Sequence, residues 1–174
     1  PSASSAASDV YKRQDQYGPD VYTDFLIDFM KRNRKNPFCA FYSMALCHDV
    51  TDDLANPVPY GPKGRYENYR EMVESMDQKI GRLMQALEDL QLEDNTVVVF
   101  TSDNGTPQRM ILTAENGQYQ RVPVQSDWRG TLIPGGKGKL TDSGTHVPMI
   151  VRWPAAIHGG QKTDALVDLS LIHI

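Results

Sequence analysis

The chain has 174 residues, of which 40% are hydrophobic and 23% charged, and its formal net charge is −4 at pH 7. This is the balance of one ordinary globular domain, too apolar for a disordered chain and too short for two comfortable domains. No basic stripe with interleaved aromatics is present, which argues against a nucleic-acid partner, and no apolar run is long enough to cross a bilayer.

Residues 1–14 (PSASSAASDVYKRQ) are small, polar and aperiodic, and read as a disordered or foreign tail. Ser170–Ile174 has the same character, which leaves 15–169 as the folding unit. The first helix is expected to open at Pro19–Asp20, where a proline suits the first turn and an acid suits the positive dipole end. Val21, Tyr22, Phe25, Leu26, Phe29 and Met30 then supply an apolar face. Lys31, Arg32, Arg34 and Lys35 crowd the C-terminal end, where cations complement unsatisfied carbonyls.

Pro37 stops the helix, and the nearly continuous apolar run Phe38–Leu46 (FCAFYSMAL) is expected as a strand covered on both faces. Along such a strand, Cys39 and Cys47 lie ~26 Å apart, well beyond the reach of a disulfide, and both read as buried thiols. A long loop rich in proline and glycine runs to Gly64 and holds Asp52–Asp53, which read as polar surface. From Arg65 to Leu92, apolar residues from Tyr69 to Leu90 recur at three- and four-residue steps, an amphipathic helix of several turns. Glu93–Asn95 makes a turn into a β-branched strand at Thr96–Thr101. The stretch from Gly105 to about Lys139 reads as irregular, and Val147–Trp153 as a last strand, placed at an edge by Pro148. Strand, helix, strand in this order predicts a βαβ crossover and a parallel sheet.

Three groups of residues carry candidate chemistry. Asp103 and Asn104 follow the strand Thr96–Thr101, and ligands gather at the carboxyl ends of strands in open α/β sheets. A carboxylate and an amide oxygen are hard donors suited to Ca²⁺ or Mg²⁺; the alternative is a plain turn completed by Gly105. In Gly135-Gly136-Lys137-Gly138 the glycines let backbone approach an anion while the ammonium supplies charge. The loop lacks the spacing of a P-loop, and a flexible tip is the alternative. His48, after the apolar run, can donate to a substrate anion or protonate a leaving oxygen, or can be structural.

The order and spacing of several segments resemble the sulfatase family over roughly residues 36–155. These are Met72-Val73-Glu74-Ser75-Met76-Asp77, Asp94 through Gly105 (DNTVVVFTSDNG), Gly135-Gly136-Lys137-Gly138, and Gly144 through Pro154 (GTHVPMIVRWP). The resemblance implies an alkaline-phosphatase-like α/β catalytic domain, a mostly parallel sheet flanked by helices, here incomplete and missing its N-terminal part. It also implies hydrolysis of sulfate esters at a site holding Ca²⁺, with Mg²⁺ second to it, by a formylglycine nucleophile. Carried over by position, Asp103 and Asn104 match metal ligands, and Lys137 and His48 match catalytic residues that contact the sulfate group. The substrate would be a sulfate-ester small molecule or a sulfated glycan, and family members are commonly exported, periplasmic or lysosomal. Two departures set limits. Neither Cys39-Ala40-Phe41 nor Cys47-His48-Asp49 fits the nucleophile motif Cys/Ser-x-Pro/Ala-x-Arg, and the family's upstream paired aspartates are absent. The chain is therefore expected to be inactive alone, as half of a metal site. His146 stands where many relatives have arginine and reads as structural, with a substrate contact as the alternative, while Trp128-Arg129 could shape a pocket rim or simply pack. A phosphate- or phosphonate-ester hydrolase of the same fold and a non-catalytic metal-binding relative are the competing readings; Asn104, where phosphatase relatives more often carry histidine, favours sulfate.

Overall fold

The computed structural model describes residues 17–48, 66, 68–115 and 118–167. The expected terminal tails and the Asp52–Asp53 loop lie outside these residues.

Helix α1 spans Gly18–Asn33, with Pro19 in its first turn, Asp20 beside it, and Lys31 and Arg32 in the last turn. Its buried side is narrower than its apolar pattern suggests. Pro19, Thr23 and Met30 are buried, whereas Tyr22 and Phe25 are 44% and 45% exposed. Thr23 can lie inside because its hydroxyl donates to the Pro19 carbonyl (2.7 Å), so no polar atom is stranded. Helix α2 spans Tyr69–Asp89 and starts where Asn68 caps it: the Asn68 side chain accepts from the Glu71 N–H at 3.0 Å. The helices are held side by side by Lys79–Asp20 (2.5 Å) and Arg82–Asp24 ion pairs.

Each end of α2 anchors its own core. Toward its N-terminus Met72, fully buried, packs with Leu46, Tyr66, Met110 and Val124. Toward its C-terminus Ala86 and Leu87 pack with Met30, and Ile27, Phe38, Leu83 and Val98 close around them.

After a 3₁₀ turn at Glu93–Asn95 come β1 (Val98–Thr101), β2 (Arg109–Glu115), β3 (Gln118–Pro123), β4 (Gln125–Trp128) and β5 (Thr131–Pro134). A short helix α3 (Asp142–Thr145) and β6 (Met149–Arg152) follow. The α/β class stands, but the pairing differs from a parallel βαβ unit. All three ladders among the described residues, β1–β6, β2–β3 and β4–β5, are antiparallel. β1 takes β6 as its neighbour because the chain from residue 102 to 148 turns back and brings β6 in with opposite direction, Val99 opposite Val151 and Phe100 opposite Ile150. Pro148 sits immediately before β6, where its missing N–H costs no ladder bond.

The expected strand at Phe38–Leu46 is corrected. The segment joins no ladder among the described residues, and Phe41 is 90% exposed. From Tyr42 onward the half-buried or buried residues are alternate ones, Tyr42, Met44 and Leu46. The segment thus lies against the helical core on one face and opens onto a cleft on the other, so its apolar run is covered once rather than twice. The stretch read as irregular from 105 to 139 is corrected too, since it forms two hairpins. In the second, Arg129 (φ 53°) and Gly130 (φ 82°) both take positive φ between Trp128 and Thr131. This matches the twist of the flanking strands in a two-residue hairpin turn, and the Asp127 carboxylate accepts from the Gly130 N–H at 2.7 Å.

Candidate active site

β1 ends because its next residues bond to themselves rather than to a neighbouring strand. The Ser102 hydroxyl donates to the Asn104 carbonyl (2.9 Å), and Asn104 Nδ2 donates to the Gly105 carbonyl (3.1 Å). That second bond occupies the amide nitrogen of Asn104 and leaves its side-chain oxygen as the donor a hard cation would use. The Asp103 side chain is exposed at the same strand end.

Three loops meet at this strand end through main-chain bonds. Gly105 N–H donates to the Gly144 carbonyl at 2.9 Å, Lys137 N–H to the Thr106 carbonyl at 3.0 Å, and Gly135 N–H to the Val124 carbonyl at 3.2 Å. A Cβ on Gly105 would lie 2.1 Å from the Ser143 carbonyl oxygen, one on Gly135 2.1 Å from the Pro107 carbonyl oxygen, and one on Gly136 2.1 Å from Ser143 Oγ. The glycines around Lys137 therefore serve a different end from the expected close approach of an anion: Gly135 and Gly136 let the chain cross over itself. Gly138 differs, with open space around it and φ +83°, and shapes the turn closed by Lys139 N–H on the Gly136 carbonyl (2.8 Å). The crossing places Lys137, exposed, beside the loop that carries Asp103 and Asn104.

His48 is exposed at the end of the 38–48 segment, its N–H bonded to the Ala45 carbonyl at 2.8 Å. His48, Asp103, Asn104 and Lys137 all line one cleft of about 2370 Å³. The structure thus brings the four sequence-predicted residues to a common cavity. A residue not singled out for chemistry from the sequence lines the same cleft: Tyr69, at the start of α2, shares a hydrogen bond with Thr106 (3.4 Å). Burial raises the Tyr69 phenol, with the Thr106 contact working against it, and so keeps it protonated. Counting Tyr69 only as an apolar helical position hid its hydroxyl.

Cys47 packs beside Tyr69 and Met76, with Sγ 4.0 Å from the Met76 sulfur, and burial pushes its thiol up to about 11. A thiol held protonated in this way is a poor nucleophile. Cys39, expected to be buried, is exposed, because the outer side of the 38–46 segment has no covering layer. His146 follows α3 and lines the same cleft; its ring meets Trp128 edge-on at 5.3 Å, and the Arg129 guanidinium lies 5.3 Å from the Trp128 ring centre.

Asp103 and Asn104 offer hard oxygens at a strand end, but among the described residues no group of three or more His, Cys, Asp or Glu side chains is placed to hold an ion. Among them, too, no helix is long and apolar enough to cross a membrane.

Comparison with known proteins places the chain in a family. A family model described as Sulfatase matches residues 2–173. The chain is 33% identical to steryl-sulfatase of Rattus norvegicus over 137 residues, which is 79% of the chain and 22% of that protein. It is 32% identical to arylsulfatase H of Homo sapiens, covering 81% of the chain and 24% of that protein. A solved Bacteroides thetaiotaomicron structure, described under the metabolism of multiple glycosaminoglycans, superposes with a TM-score of 0.57 at 27% identity, over 82% of the chain and 28% of its own length. The chain thus spans about a fifth to a quarter of the curated relatives it matches. With an α/β fold of the alkaline-phosphatase-like type and a family match over nearly all its residues, the chain belongs to the sulfatase family.

Proposed function

We propose that the protein to which this chain belongs hydrolyses sulfate esters, and that this chain supplies the second half of its metal and sulfate site. The observation that carries the reading is the crossing of loops at the end of β1, where Lys137 N–H on Thr106 and Gly105 N–H on Gly144 gather the lysine to the Asp103–Asn104 loop. Asp103 and Asn104 would hold a Ca²⁺, which when bound neutralises charge on sulfate oxygens. Lys137 Nζ, exposed in the cleft, binds the same oxygens as a mobile point charge and stabilises the charge that develops as the ester bond breaks. His48, exposed in the same cleft, donates a proton to the departing alcohol oxygen. The nucleophile, a formylglycine in this family, has no counterpart motif in these 174 residues, so the chain alone is inactive in this reading.

The test is made on the parent polypeptide. Lys137→Ala and Asp103→Ala are each expected to lower kcat/KM for an aryl sulfate by about 10²–10³, with the matching aryl phosphate turned over more slowly. A parent that prefers the phosphate, or that tolerates both substitutions, would overturn the assignment. For the isolated chain, calorimetric titration is expected to give a Ca²⁺ dissociation constant no tighter than about 1 mM; tight, saturable binding would contradict a half-site.

A further inference from the structure

The β4–β5 hairpin carries an arrangement that the sulfate chemistry does not use. Its turn is fixed by two consecutive positive-φ residues and by Asp127 capping the Gly130 N–H at 2.7 Å. A turn held in this way presents Trp128 and Arg129 on a rigid support. Trp128 stays 40% exposed although His146 and Arg129 both pack against it. His146 meets it edge-on at 5.3 Å, and the Arg129 guanidinium stands 5.3 Å from its centre. His146 in turn is placed by α3, two residues after Gly144, whose carbonyl receives the Gly105 N–H beside Asn104. The hairpin aromatic and the metal-side loop are thus joined through one short helix, and Trp128 and His146 line the same cleft as Asp103 and Lys137.

Resting on the sulfate-ester reading, we infer that Trp128, braced by His146, is the wall that receives the organic part of the substrate, and that this part presents a flat ring face. Lys137 and the Asp103–Asn104 loop are charged or polar and serve the ester group, whereas an exposed indole gains most by covering an apolar ring face. Aromatic rings and the CH faces of sugar rings share this chemistry, and an open-chain alcohol lacks it. Arg129, over the indole, biases the wall further toward electron-rich or anionic rings.

The test uses the parent polypeptide with its nucleophile replaced by alanine, labelled with ¹⁵N at the indole nitrogens and titrated with methyl sulfate, 4-nitrophenyl sulfate and glucose 6-sulfate. Trp153, whose indole N–H donates to the Asp94 carbonyl at 3.1 Å, is the internal reference. A ring-bearing ester is expected to move the Trp128 signal but not that of Trp153, and to bind about fivefold tighter than methyl sulfate. Trp128→Ala should abolish that preference and leave methyl sulfate unchanged, while Trp128→Phe retains most of it. A response to the aryl ester or to the sugar ester alone supports the wall and fixes which ring it takes. Equal affinity for ring and methyl esters, or a silent Trp128 signal on ring-ester binding, would overturn it. Lys137→Ala separates the underlying reading from this one, since it should weaken all three ligands alike; if none of the three binds that parent or responds to Lys137→Ala, the sulfate-ester reading fails and the wall with it.

Discussion

Gly135→Ala tests whether the loop crossing organises the site. In the native geometry an added Cβ would stand 2.1 Å from the Pro107 carbonyl oxygen, 2.5 Å from the Pro107 carbonyl carbon and 2.5 Å from the Thr106 carbonyl oxygen. A carbon and a carbonyl oxygen tolerate roughly 3.3 Å at closest, so one strand of the crossing must retreat by about 1.2 Å. All the opposing atoms are backbone, so no side chain can swing aside to relieve the clash. Forced insertion into a packed site costs about 1–3 kcal/mol, which for a small domain lowers a urea midpoint by roughly 1 M. The retreat also breaks the Lys137 N–H bond to Thr106, now 3.0 Å, and should move the Lys137 amide signal in a ¹H–¹⁵N spectrum. Gly159→Ala is the control: nothing lies within 4 Å of its added Cβ, and its midpoint should not change. If Gly135→Ala unfolds at the same urea concentration as the control, with an unmoved Lys137 signal, the crossing is not the close-packed junction described here.

Truncating Met72, fully buried at the centre of the first core, to Ala should cost about 2–5 kcal/mol, whereas Leu140→Ala, at a side chain 99% exposed, should be neutral in the same urea titration. The Cys47 thiol gives a pH signature. Its value rises from 9.0 in the open chain to about 11 when folded, so the unfolded chain ionises first and stability should decline between those two values as pH rises; Cys47→Ala should flatten that decline, and an unchanged slope would count against the burial. The same difference predicts that iodoacetamide labels Cys39 well before Cys47 at neutral pH, read by mass spectrometry of the peptides. Finally, the isolated chain should melt in a low, broad transition or aggregate, and a sharp cooperative melt would refute this.

The helices were legible because their signals are local. The apolar steps of α2 and the proline and acid at the start of α1 need no distant partner to be read. Phe38–Leu46 was misread because an apolar run reports that a segment prefers cover, not how many faces receive it; here one face rests on Leu46, Met44 and Phe38 in the two cores and the other opens to the cleft. The second hairpin went unread although its turn was written plainly: Arg129-Gly130 stands between two short runs, and a glycine after a residue able to take positive φ is the chemistry of a two-residue turn. At the site, the residue types at 48, 103, 104 and 137 could be read from the sequence. What could not be read was the means of bringing them together, because backbone crossings at Gly105, Gly135 and Gly136 depend on which distant carbonyl each glycine meets.

The same distinction explains why the broad melt and the ordered loop junction belong to one molecule. The junction is closed by bonds among residues 105 to 144, all supplied by this chain, so its geometry needs nothing further. The β1–β6 pair is different. Ile150 is 60% exposed, Val99 45% and Val151 38%, so apolar residues on both faces of a two-stranded ribbon meet water. A ribbon of two strands is only marginally stable without a layer packed on it, and uncovered apolar strand edges favour association. Covering that ribbon should therefore sharpen unfolding more than any change at the junction. Adding lysine at Ile150, an exposed position on the outer strand, should raise solubility while leaving the Lys137 amide signal in place; loss of that signal on Ile150→Lys would show that the ribbon and the junction fold as one unit after all.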